Sequence, residues 1–391
     1  MNSNTFQPNP RVLVTYAWVR SSWGLIRNLA QHGLEVHAGD HQSFFMSRFS
    51  RYCSGWFQYP HFHQDTEGFI QSLVDYLETH DIGTYIPSHE EGFVVSRYLD
   101  RFPKSVHVAV ADPEAIRQLD HKLLAQELAE QLGVPHPRTV EIESLDTLDA
   151  LIDCLPTKGV VKSPFSHGSH GVDFYQNRQQ LRQVWSEANS RREPFDPPPI
   201  VQEFVRGRIQ AVMILAEKGE VKASFARRNI REKEPFGGAA VKCESIRFPE
   251  GLADATRIVQ HLSYSGIAMF EFVVSEQSDQ YWLMEVNPRY WGTTPHDLNC
   301  GVDFPYYQYC LAHGLPFEEN PDYPLEHRSR WIAGDVIAFF KRKHADNSIK
   351  HLRSHLDFND DSFMDFHRDD PIPFFIQSYL YYKHRRKIFR D

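Results

Sequence analysis

A chain of 391 residues, 41% hydrophobic and 24% charged, sets 42 Lys and Arg against 51 Asp and Glu for a formal net charge of −9. At about 100–200 residues per domain this length holds two or three domains, each able to bury a core without staples. The acidic total argues against a nucleic-acid binder that tracks phosphates with a basic face.

Five scattered cysteines without a C-x-x-C pair signal neither a disulfide framework nor a zinc site, which fits a reducing compartment. The N-terminus has no charged segment followed by an apolar one, and no apolar run reaches the ~18 residues that span a bilayer. The expected location is cytoplasmic, with no membrane span.

Through residue 110, short apolar runs alternate with amphipathic stretches, at 12–16, 24–32, 34–39, 69–77, 84–87 and 106–110. This alternation predicts a doubly wound parallel sheet. Asp40 ends the second strand, where a ribose-binding acid would sit. The turn before Leu25 nevertheless lacks the G-x-G-x-x-G that lets backbone approach a pyrophosphate, so no dinucleotide site is expected.

Asp112-Pro113-Glu114 is a helix start, with a capping side chain, proline in the first turn and an acid at the positive dipole end. One helix is expected to run from there through Leu123, Leu124, Leu128 and Leu132 to Gly133. A small α+β unit follows, with a helix at 145–152, a buried strand at 159–163 and a turn-rich loop. The proline-rich stretch 191–199 reads as a surface connection. Strands at 200–205, 210–216 and 220–225, a helix at 252–262 and strands at 267–274 and 281–286 predict an antiparallel sheet with helices on one side.

The most informative chemistry lies in the last two of these strands. If they form a hairpin turning near Ser278, Glu271 lies opposite Glu285, and Glu285, Asn287 and Arg289 share its face. Opposed carboxylates repel, and each is the only charge in an apolar strand, so something positive must sit between them. Hard oxygen donors supplemented by an amide suit Mg²⁺ that also binds substrate phosphates. A buried ion network in which Arg227, Arg228 or Arg289 neutralises both acids is the alternative.

Lys162 ends a buried strand and is followed by Ser163-Pro-Phe-Ser-His-Gly-Ser-His-Gly171, whose backbone N–H groups can offer a phosphate cradle. It is not a Walker loop, and a hairpin turn with a snorkelling lysine reads equally well. Gln202-Glu203-Phe204-Val205 ends a strand whose free backbone groups can pair with a purine edge or simply exit into a turn. The basic stretch 227–238 reads as an anion lid or a solvated hairpin tip.

Taken in order, five segments resemble the ATP-grasp superfamily, in detail its carboxylate-amine ligases and carbamoyl-phosphate-synthase-like members. They are Asp120-His121-Lys122, Val160-Val161-Lys162 with its Ser/Gly loop, Gln202-Glu203-Phe204-Val205, Phe270-Glu271-Phe272 and Glu285-Val-Asn287-Pro-Arg289. The fold this implies is α/β and α+β: an N-terminal doubly wound parallel-sheet domain, then a two-lobed ATP-grasp fold with antiparallel sheets. The expected divisions are a Rossmann-like domain at 1–111, a linker helix and small lobe at 112–198, a large lobe at 199–325 and a helical extension at 326–391.

The resemblance further implies that Lys122, Lys162, Ser163, His167, Gly168, Gln202, Glu203, Phe204 and Val205 bind ATP. Glu271, Glu285 and Asn287 would hold Mg²⁺ or Mn²⁺, with Arg289, Lys162 and Arg228 catalytic. Two departures stand out: His167 and His170 lie in the phosphate loop where glycine, serine or arginine is commoner, and His121 separates Asp120 from Lys122. The implied activity is ADP-forming carbon–nitrogen ligation of a small-molecule carboxylate and an amine through an acyl phosphate. A carboxylase or carbamoyl-phosphate-type enzyme working through carboxyphosphate, or a non-catalytic ATP-binding regulator, is the alternative. The C-terminal segment with its basic end reads as a solvated helical cap, a homodimer contact or a dock for an acidic carrier.

Overall fold

Residues 9–165, 171–192, 196–234, 237–343, 354–355, 359 and 361–383 are described by a computed structural model. Strands β1 (Arg11–Val14), β2 (Glu35–Asp40), β3 (Gly55–Gln58), β4 (Thr84–Ile86) and β5 (His107–Val108) pair in parallel in the order β3-β2-β1-β4-β5. Alternation along β1 sends Val12 and Val14 to one face, with Leu25, Ile26 and Leu29 of α1 (Arg20–Gln31). It sends Leu13 to the other, with Phe69, Ile70, Leu73 and Leu77 of α2 (Thr66–Thr79). The short α3 (Glu91–Val95) follows β4.

Asp112 caps α4 (Pro113–Asp120) by accepting from the Glu114 and Ala115 amides at 2.9 and 3.2 Å. The single helix expected from here is two. The backbone breaks at His121, whose ring caps α5 (Lys122–Gln131) through the Leu124 amide at 3.4 Å. Lys122 thereby becomes the first residue of a new helix, and its freed amide donates to Pro164 O at 3.1 Å.

A four-stranded antiparallel sheet comes next, in the order β6-β9-β7-β8. Its strands are β6 (Thr139–Glu141), β7 (Gly159–Lys162), β8 (Val172–Tyr175) and β9 (Ile200–Glu203). Helices α6 (Leu145–Leu151) and α7 (Arg178–Ser190) cover one face, where Leu148, Leu181 and Trp185 pack on Val161, Tyr175 and Val201. Val161 faces that core, so its neighbours Val160 and Lys162 face the opposite side.

The largest sheet has seven strands, in the order β14-β13-β10-β11-β12-β15-β16. It comprises β10 (Arg208–Glu217), β11 (Glu220–Glu234), β12 (Gly237–Ser245), β13 (Gly266–Val274), β14 (Tyr281–Asn287), β15 (Arg328–Arg330) and β16 (Ser362–Phe363). Lys218 and Gly219, both with positive φ, make the tight turn between β10 and β11. One face packs Val212, Ile214, Phe270 and Phe272 against α8 (Pro249–His261) and α4. The other packs Ala211, Met213, Phe225 and Met269 against the N-terminal sheet and its α1 helix. Helices α9 (Thr294–Asn299), α10 (Phe304–Ala312), α11 (Ile332–Lys343) and α12 (Ile372–Lys383) complete the chain.

Most of the stretch 227–238 is strand and not a lid or a hairpin tip: Arg227 to Glu234 form the second half of β11, paired with β12 from Gly237 onward, and residues 235–236 lie outside the described residues. Its alternation explains why the basic composition misleads: Arg227, Asn229 and Arg231 are buried, while Arg228 and Ile230 are exposed. Each buried arginine has an acidic side chain within reach, Arg227 on Glu271 and Arg231 on Asp335. Among the described residues no helix is long and apolar enough to cross a membrane.

Candidate active site

β13 and β14 form an antiparallel hairpin in which Glu271 pairs with Glu285 and Met269 with Asn287. A regular ladder would not produce this. From Tyr281 to Leu283 the register runs opposite Val274 to Phe272, and it shifts between Glu271 and Phe272. Met284 is the extra residue of a β-bulge, so Met284 and Glu285 both leave the helix-covered face occupied by Leu283 and Val286. Without the bulge, Glu285 would point with Leu283 into the apolar core under α8.

The row that carries the two acids continues across the sheet through Ala211 to Arg227. Ala211 is small, and the Arg227 guanidinium passes over it to reach Glu271 Oε1 at 3.3 Å. Lys122 Nζ lies 3.7 Å from Glu285 Oε2, and Asn287 Nδ2 donates to Glu285 Oε1 at 3.4 Å. Arg289 Nη2 donates to Asn287 Oδ1 at 3.0 Å, and its Nη1 donates to Tyr290 O at 3.1 Å. Burial, and then the charge of Glu285, push the Glu271 carboxyl above its ordinary range, with Arg227 opposing. Of the cations weighed from sequence, Arg227 faces Glu271, while Glu285 is faced by Lys122, which that alternative did not include.

Lys162 is 5% exposed, and burial lowers its pKa to about 7; the Lys122 charge adds to this and Glu285 opposes it. The two lysines arrive from different elements, Lys162 from the end of β7 and Lys122 from the first turn of α5. The contact from the Lys122 amide to Pro164 O ties the two elements together. Asp120, at the end of α4, is raised to about 6 by burial, against the charges of Arg289 and Lys122. A cleft lined by Pro87, His89, Arg289, Tyr290 and Gln308 connects this cluster to the strand ends of the N-terminal sheet.

The remaining expected residues are more dispersed. Ser163 is half-buried and accepts from the Phe165 amide at 3.3 Å, while His167 and Gly168 lie outside the described residues. Gln202 is fully buried and donates to Thr139 Oγ1 at 2.9 Å. Glu203 and Phe204 are exposed at the end of β9, with Val205 half-buried beside them.

Arg228 requires a correction. One residue along from Arg227, it faces the opposite side of the sheet and is bound to Glu244 at 2.6 Å, so it cannot act with Glu271. Arg227 occupies the place expected for it, and only the alternation phase of a strand running past Phe225 distinguishes the two from sequence. Asp120 also joins the cluster as a buried acid, a role its place at a helix end did not signal.

Glu271, Glu285 and the Asn287 amide oxygen are hard donors on one face and fit Mg²⁺, whose octahedral shell they leave partly open to phosphate oxygens. Among the described residues no group of three or more His, Cys, Asp or Glu is placed to hold a metal without such help.

Residues 119–293 match the family model described as the ATP-grasp domain. This segment, a little under half of the chain, is therefore similar to ATP-grasp domains. Pyruvate carboxylase from Aspergillus niger is 26% identical over 221 residues, covering 53% of this chain and 18% of that protein. Tetrahydromethanopterin:alpha-L-glutamate ligase from Methanocaldococcus jannaschii is 25% identical over 201 residues, covering 50% of this chain and 65% of that protein. The fold is also that of the biotin carboxylase domain of Hydrogenobacter thermophilus 2-oxoglutarate carboxylase. That structure superposes with a TM-score of 0.68 at 15% identity, covering 82% of this chain and 74% of the other.

Proposed function

We propose that this protein uses ATP to activate a small-molecule carboxylate as an acyl phosphate and joins it to an amine, releasing ADP and phosphate. The observation that carries this reading is the pair Glu271 and Glu285, with Asn287 and Arg289 on the same rim and Lys122 beside Glu285. In the first step a substrate carboxylate oxygen attacks the γ-phosphorus and the bond to the ADP oxygen breaks. In the second, the amine nitrogen attacks the acyl carbon, phosphate departs and the nitrogen loses a proton.

Lys122 and Lys162 offset the negative charge of the phosphates, and Arg289 steadies the transferred phosphoryl group through its planar fork. Gln202, Glu203, Phe204 and Val205, at the end of β9, line the nucleotide site beside Ser163. Glu271, Glu285 and Asn287 would hold Mg²⁺, which when bound would supply neutralisation of the phosphate charge. The glutamate ligase among the relatives supports the amide-forming reading. The carboxylase among them supports a second, in which bicarbonate is the activated carboxylate.

Chromatography of the nucleotide products tests both. The protein with Mg-ATP and a pool of amino acids and small carboxylates should release ADP and phosphate in a pool-dependent way. Release that depends on bicarbonate alone would favour carboxyphosphate. AMP with pyrophosphate would mean adenylation and defeat both readings.

A further inference from the structure

Close enough to Arg227 to feel its charge lies a second buried guanidinium that the reaction as described does not use. Arg20, the first residue of α1, is 7% exposed, and its Nε and Nη2 have no hydrogen-bond partner. Those two nitrogens form one edge of the guanidinium plane, the edge that grips a planar oxyanion with two parallel hydrogen bonds. The face of the plane is occupied already, because the Trp331 ring stacks on it with 3.7 Å between Cζ and the ring centroid. A stacked face and a bare edge are how a guanidinium is aimed at a ligand.

The surroundings keep the edge bare. Gly292 stands beside it, and a Cβ there would come within 3.0 Å of Nη2. Asp365 is a nearby acid, yet its two oxygens accept from the Ile332 and Ala333 amides at 2.9 and 3.0 Å. Arg227, close enough for its charge to act on Arg20, likewise leaves its Nε unpartnered. Two neighbouring buried cations with unbonded donors are costly unless an anion joins them.

We propose that the free edge of Arg20 seats an oxyanion of the substrate, a carboxylate or phosphate group separate from the carboxyl that reacts. The proposal rests on the ligase reading and narrows its substrate class to small molecules with a second, non-reacting anionic group, as in an amino acid or a phosphorylated amine. Arg20 selects the substrate by pairing that group, while Arg227 links the seat to Glu271.

The test is ADP release from Mg-ATP by wild type, Arg20→Lys and Arg20→Met with three probe pools. These are amino acids with dicarboxylates, phosphorylated amines, and the matching carboxamides with monocarboxylates. One anionic pool should outperform the neutral pool by about tenfold or more. In both variants KM for the active anionic compounds should rise about tenfold or more, with kcat and ATP affinity little changed. Lys retains the charge without the fork, so it separates loss of recognition from loss of folding, which circular dichroism checks. Whichever anionic pool is active distinguishes carboxylate from phosphate.

Equal use of neutral and anionic pools, or an unaltered KM in Arg20→Lys, would overturn the proposal. If wild type binds ATP but no pool releases ADP, the ligase reading fails and thermal shift with the same probes and ADP decides the seat alone. A shift by an anionic probe in wild type that is lost in Arg20→Lys supports it, and no such shift overturns it.

Discussion

Glu285→Gln is expected to lower Mg-ATP-dependent turnover by about 10²–10³-fold, the range seen when one preorganised charge-stabilising group is removed. The substitution keeps the shape and the hydrogen bond from Asn287 Nδ2 to Oε1, but removes the charge that Lys122 faces at 3.7 Å. It also removes the repulsion that, after burial, most raises Glu271. The lost repulsion offsets the partner lost to Lys122, so the fold should stay intact by circular dichroism even as activity falls. Near-normal ADP release from Glu285→Gln, and from Asn287→Ala assayed alongside it, would remove the metal assignment.

Lys162→Met is the second large effect. With its pKa lowered to about 7 by burial, Lys162 is partly neutral at pH 8, whereas a bound triphosphate favours the charged form. ATP binding at pH 8 should take up a proton, measurable by calorimetry in buffers of different ionisation enthalpy. The Met variant should lose that uptake and weaken ATP affinity by roughly 10–100-fold, as expected for a charge-assisted hydrogen bond worth about 1.5–3 kcal/mol. Unchanged affinity and unchanged proton uptake would put the phosphates elsewhere.

The same shift carries a stability consequence of opposite sense. The folded pKa lies below the ordinary lysine value of 10.5, so between about 7 and 10.5 the unfolded chain holds more protons than the folded one. Folded stability from this group therefore rises with pH through that window, and the penalty is complete below it. Lys162→Met should unfold at higher urea concentration than wild type at pH 6, with the difference fading toward pH 10. Site and stability are opposed here because a buried cation poised for phosphate is a poor core residue.

Much of the framework is legible in local pattern. Alternating strands and helices before residue 110 indicate the parallel sheet, although β3 is too weakly apolar to be noticed. Asp112-Pro113 marks a helix start that the structure places where expected. Glu271 and Glu285 stand out because a lone acid in an apolar strand requires a partner. The segments after Tyr175 were harder: α7 is highly polar, and β12 pairs with a strand whose basic composition resembles a loop.

By itself, the sequence determined the periods, the caps and the presence of two acids in apolar strands near an Arg and an Asn, because these follow from backbone geometry and desolvation within a few residues. Which face each side chain takes was decided only by tertiary structure. The bulge at Met284 turns Glu285 from the core to the site, the break at His121 delivers Lys122, and the phase of β11 selects Arg227 over Arg228. A shift of one residue reverses a strand's faces, and that shift is set by pairing with distant strands and by the core those strands enclose.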